Sequence, residues 1–135
     1  MSDHAKEVLW SSERSFLLWR YGSGHSQLLF RSADFDEGSD VIRILFHTVS
    51  MVETVIRYSG PLSLVVVDHH SSYRETSKFP HMLIEIHGSD QRGFVAAGGV
   101  RITRGTRDDG EGELIYATGK AAGDGGASEV APNRR

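Results

Sequence analysis

His81, Leu83, Glu85 and His87 share one parity along an alternating stretch. On a strand they project from one face, with about 6.8 Å between alternate residues. Two imidazoles and a carboxylate on a common face are the raw material of a metal site or an acid–base pair. A second group, Asp68, His69 and His70, stands where the apolar run Leu62 to Val67 ends. Neutral imidazole ligates metals, and an adjacent carboxylate orients it. His69, His70, Glu85 and His87 are therefore the candidate ligands of a divalent metal, provided that the 68–87 region converges into one pocket. The opposing reading makes them a solvated strand face and a polar strand end, with no cofactor.

Other motifs point away from catalysis. Gly22-Ser23-Gly24 lacks the lysine and following helix of a phosphate-binding loop and reads as a hairpin turn. No Gly-x-Ser-x-Gly elbow occurs, which argues against a serine hydrolase. Asp108, Asp109, Glu111 and Glu113 crowd one turn, but their spacing is not that of an EF-hand loop. Trp19, Tyr21, Tyr58 and Tyr73 are the aromatics expected to reach a partner-binding surface, because interface hot spots favour Trp, Tyr and Arg. The acidic loops 34–40 and 108–113 would steer the molecule toward a basic partner.

These residues need a scaffold, and the hydropathy pattern supplies one. Most of the body alternates with a period of two, as strands with one wet face do. Phe16, Leu18 and Arg20 are expected on one side of a strand, with Leu17, Trp19 and Tyr21 on the other. Strands are also expected at 27–31, 41–47, 51–58, 62–67, 82–87, 94–104 and 113–118. Ile42, Ile44 and Phe46 form an apolar face, and Leu62 to Val67 is apolar on both sides, as a central strand is. Ala96-Ala97-Gly98-Gly99 interrupts a strand pattern where paired glycines mark a bulge, a sharp bend or a close backbone approach. The fold class is all-β, an antiparallel sandwich or small barrel of about seven to nine short strands. The alternative is α+β, because residues 41–58 also fit one helical stripe ended by Gly60-Pro61. Their many β-branched side chains favour strands.

Of 135 residues, the last seventeen, 119–135, hold a single large apolar side chain, Val130. A Gly/Ala-rich stretch of this kind cannot bury enough surface to offset its ordering entropy. A single β domain over 1–118 and a disordered tail over 119–135 are expected. The chain has no cysteine, which excludes disulfides, thiol nucleophiles and thiolate metal sites. With 15 basic and 18 acidic side chains the formal charge is −3, a poor match to nucleic acid. No apolar run reaches the roughly 18 residues that span a bilayer, and the polar opening residues are unlike a secretory signal. A cytoplasmic location is expected.

The stretch Ile44-Leu45-Phe46-His47-Thr48-Val49, followed by Val55-Ile56-Arg57-Tyr58-Ser59-Gly60-Pro61-Leu62, resembles a pattern in small uncharacterised actinobacterial all-β proteins. Some of those are similar to immunity proteins of polymorphic toxin systems. The resemblance implies a bacterial, non-catalytic binding or accessory protein that engages a protein partner as an inhibitor does, and it carries over no functional residue. A second copy of the chain is also an admissible partner. The reading from a different class is a small-molecule-binding β-barrel, with enzyme activity if the His/Glu metal site forms.

Overall fold

Alternating side chains build this fold strand by strand. A computed structural model describes residues 6–22, 26–32, 40–71, 73, 82–106 and 112–119. Among them run eleven strands: β1 (Lys6–Ser12), β2 (Phe16–Gly22), β3 (Gln27–Ser32), β4 (Val41–His47), β5 (Met51–Glu53), β6 (Arg57–Tyr58), β7 (Leu62–Val67), β8 (Met82–His87), β9 (Arg92–Ala97), β10 (Gly99–Gly105) and β11 (Glu113–Gly119). They form a five-stranded sheet in the order β1-β7-β8-β9-β5 and a six-stranded sheet in the order β11-β10-β4-β3-β2-β6. All pairings are antiparallel, and neither sheet closes on itself. The architecture is a sandwich.

The core lies between the sheets. On β4 the alternation turns Ile42, Ile44 and Phe46 inward, all buried, while Arg43, Leu45 and His47 face out. Leu62 and Leu64 of β7 and Ile84 and Ile86 of β8 meet them from the other sheet. Phe30 stands edge-on to Phe46 at 6.2 Å and to Tyr58 at 5.8 Å. Burying such a side chain contributes about 1.5–3 kcal/mol relative to exposure. β7 is interior to its sheet, and its outward Val65 and Val67 are buried as well. An apolar layer therefore exists on the far side of the five-stranded sheet, made with Phe94 and Ala96 of β9.

Three departures from the expected pattern raise the strand count above nine. β1 is additional; its alternation is broken by a bulge between Val8 and Trp10. The expected strand 51–58 divides, with β5 pairing β9 in one sheet and β6 pairing β2 in the other. The expected strand 94–104 divides at Gly98 into β9 and β10. Residues 41–58 form no helix: three strands occupy them, and Thr48 at φ 55° turns the chain after β4.

The Thr48 turn and the Gly98 bend coincide. The Gly98 amide donates to the carbonyls of His47 at 2.9 Å and Thr48 at 3.1 Å. A methyl group at Gly98 would come within 2.9 Å of the Thr48 side chain, so glycine permits the close approach. β4 pairs with β10 before this corner and β5 with β9 after it. One antiparallel ribbon thus bends from the six-stranded sheet into the five-stranded one.

On β2 a bulge lies between Leu18 and Arg20, leaving Trp19 as the extra residue. The expected parity is therefore reversed beyond Leu18. Arg20 falls opposite Leu29 on the outer face, and Tyr21 opposite Leu28, which belongs to the core. β11 runs through Gly119, where the tail was expected to begin; residues 120–135 lie outside the described residues.

Candidate functional site

Among the described residues, two surfaces gather chemistry-bearing side chains, one on each sheet. On the five-stranded sheet, the pairing of β8 with β9 sets Glu85 beside Phe94, and the chain that follows Val67 folds back over this pair. Glu85 Oε1 lies 2.8 Å from His87 Nε2, and Glu85 Oε2 lies 4.0 Å from His70 Nε2. The His70 ring stacks on Phe94 at 3.8 Å with a 12° interplanar angle, and Tyr73 tilts against the same ring at 6.3 Å. These contacts explain why outward-facing Phe94 is buried.

The expected metal ligands are thus partly united. His70, Glu85 and His87 meet on one face, while His69 is exposed and His81 lies outside the described residues. Among the described residues, no group of three or more His, Asp or Glu is arranged to hold a metal ion. The His70 ring is committed to covering Phe94. The His87–Glu85 hydrogen bond and the His70–Phe94 stack lie over an apolar layer.

The partner-binding candidates also divide. Trp19 is 53% exposed and Tyr21 47%, whereas Tyr73 is half-buried against Phe94. Tyr58 is a correction: it is fully buried, because β6 turns it into the core beside Phe30. Burial pushes its phenol up from the ordinary value, against the hydrogen bond to Thr54. Of the acidic loops, Asp40, Gly112 and Glu113 are described, and the Asp40 carboxylate is engaged by Arg14 at 2.6 Å and Arg104 at 3.4 Å.

The second surface is the outer face of the six-stranded sheet. Leu29 and Leu45 are cross-strand neighbours on β3 and β4. Arg20 on β2 extends that row on one side, and Arg101 on β10 on the other. One step along the strands, Arg31 faces Arg43, and Thr103 follows Arg43 on β10. Four arginines therefore surround two leucines on one face. A cavity of about 250 Å³ opens there, lined by Arg20, Leu29, Arg43, Leu45, Arg101 and Thr103 together with Gln27. An adjoining one of about 220 Å³ shares Arg20, Gln27, Leu29 and Leu45 and reaches Gly22.

Several of these cations are held in position. The Arg31 guanidinium carbon lies 4.2 Å from the Trp19 ring centroid, and Arg43 Nη2 donates to the Thr106 carbonyl at 3.1 Å. His47, in the next rank beside Gly99, is held below the ordinary imidazole range by burial and by the charge of Arg101. Sequence reasoning missed this face. The signal was present as Arg43 opposite the core parity of β4, but the net charge of −3 concealed the local concentration. The chain matches no family model, no curated protein and no solved structure.

Proposed function

We propose that the protein is a cytoplasmic, non-catalytic binding protein, immunity- or inhibitor-like, that docks a protein partner through the outer face and β2 edge of the six-stranded sheet. The observation that carries this reading is Trp19, held 53% exposed by a bulge and capped by Arg31 at 4.2 Å. A bulge re-aims a side chain without unpairing the whole strand. Ile56, 68% exposed, adjoins the same edge, because its carbonyl accepts the Leu18 amide at 2.7 Å. An indole, an aliphatic side chain and guanidinium groups on a rigid sheet are the chemistry of interface hot spots.

The arginines beside this anchor favour a partner with an acidic face, in place of the basic one that the loop charges suggested. Steering by such a field accelerates encounter and weakens with salt. The test is co-purification from the native host with the full chain and its Trp19→Ala variant in parallel. A partner captured by the wild type should be lost with the variant, corresponding to at least about 2 kcal/mol of binding. Unfolding of the variant should remain close to wild type. Equal capture by both chains, or no salt-sensitive capture by either, refutes the reading.

A further inference from the structure

We propose that the partner adds an extended, acidic segment to β2 as a further antiparallel strand, in the lane that β6 begins and does not fill. The proposal rests on the docking reading above and names what the partner presents there. β6 pairs with β2 only at Phe16 and Leu17, and the Leu18 amide donates to the Ile56 carbonyl. The chain before Ile56 comes from β5, in the other sheet. Among the described residues, no strand lies beside residues 19–22 on the side away from β3. Backbone donors and acceptors along such an edge are a template for strand addition.

Exposure marks the same lane. Trp19, Tyr21, Val55 and Ile56 are four of the six exposed large hydrophobic side chains among the described residues, and all four border it. Edges are commonly guarded by proline, inward-pointing charge or a bulge. This stretch has only the bulge, and the bulge is what presents the indole.

Alternation dictates what the added strand carries. Arg20 faces out beside Leu29, and Arg57 faces out beside Leu17. Both are exposed, and neither forms an ion pair among the described residues. Tyr21 has the opposite parity, next to core Leu28, and is exposed because the lane beside it is empty. Side chains of an added strand alternate between these two environments. Acidic groups on its outward positions meet Arg20 and Arg57, and apolar groups on its inward positions cover Tyr21. A uniformly apolar strand leaves both arginines without a counter-charge, and a uniformly acidic one presses charge against the phenol ring. An alternating acidic and apolar segment suits both faces.

The experiment titrates the ¹⁵N-labelled full chain, followed by two-dimensional NMR, with capped eight-residue peptides that alternate Glu with Val or Lys with Val. Saturable shifts and slowed amide exchange are expected at residues 19–22. The Glu/Val peptide should bind at least about tenfold more tightly than the Lys/Val peptide, with a preference that shrinks as salt is added. Arg20→Gln and Arg57→Gln should each weaken it by about threefold or more. N-methylation of the Glu/Val peptide, on its Glu residues in one version and its Val residues in another, tests the strand pairing without altering the protein. One version should lose binding and the other keep it, because only one edge of the peptide faces β2; any other pattern overturns the proposal. Equal binding of the two charge types, shifts centred elsewhere or no shifts also overturn it. Shifts of the same amides that grow with protein concentration alone would make the occupant a second copy, and overturn it too. The docking reading is judged separately, by capture with the wild type against Trp19→Ala, which requires neither a strand nor a charge from the partner.

Discussion

Gly93 of β9 lies directly beneath the Tyr58 hydroxyl, so that a missing side chain on one sheet seats the largest fully buried side chain of the other. The Tyr58 hydroxyl donates to Thr54 Oγ1 at 2.8 Å, whose own proton goes to the Val55 carbonyl at 2.7 Å. The phenol is thereby satisfied in a region closed to water. A methyl group at Gly93 would fall on that oxygen.

Gly93→Ala should therefore overpack the seam between the sheets and cost about 1–3 kcal/mol in urea unfolding. Combining it with Tyr58→Phe should recover part of the loss, because the overlapping atom is gone. The pair is then non-additive, as contacting residues are. Unchanged stability in Gly93→Ala would show that the seat is not tight.

A second prediction concerns the layer outside the five-stranded sheet. Phe94 is buried although its face points away from the core, because His70 and Tyr73 cover it. Phe94→Ala should cost about 3–5 kcal/mol, a core-sized loss. His70→Ala should cost about 1 kcal/mol, the scale of a stacked ring pair. Both follow from denaturant midpoints.

The acid limb of stability should depend on Asp40. The side-chain hydrogen bond from Arg14 lowers its carboxyl from the ordinary 3.8, assisted by the charges of Arg14 and Arg104 and outweighing the burial that raises it. A lowered folded-state value means that the stabilisation is complete above the ordinary value and is lost as pH falls through the folded one. Arg14→Ala should flatten the stability profile below about pH 4, as measured by unfolding at stepped pH.

His47 should act in the next window up. Burial, then the charge of Arg101, lowers its imidazole from the ordinary 6.5. The unfolded chain therefore takes up the proton first, and stability falls as pH drops below 6.5 until the folded imidazole titrates. His47→Gln should remove this slope. A profile identical to wild type between pH 5 and 7 would contradict the burial assigned to the ring.

Side-chain facing was readable wherever a strand has one wet side. On β4 and β8 a period of two separates Ile42, Ile44 and Phe46 from Arg43, and Ile84 and Ile86 from Glu85. Pairing was not readable, because register depends on the partner strand as much as on the strand itself. The arginines are outward by their own parity, but their assembly requires the order β2, β3, β4, β10. The bulge at Trp19 reverses parity without a compositional signal. Tyr58 deceived because a two-residue strand has no alternation to show which way its aromatic points. The Gly98-Gly99 pair did indicate a bend, and the pairing partners revealed that it changes sheets. Around the histidines, Glu85 and His87 were a visible pair, while His70 joined them because the chain after β7 folds back over Phe94, the β9 neighbour of Glu85.

The ribbon bent at Thr48 and Gly98 also governs how the molecule comes apart. β4 with β5, and β9 with β10, are each a single run of chain that contributes to both layers. Detaching either sheet must break the other at the same corner. The two layers consequently form one cooperative unit instead of two separately opening foldons. Amides of Ile44 and Val95, from opposite layers, share a single global opening event as their route to exchange.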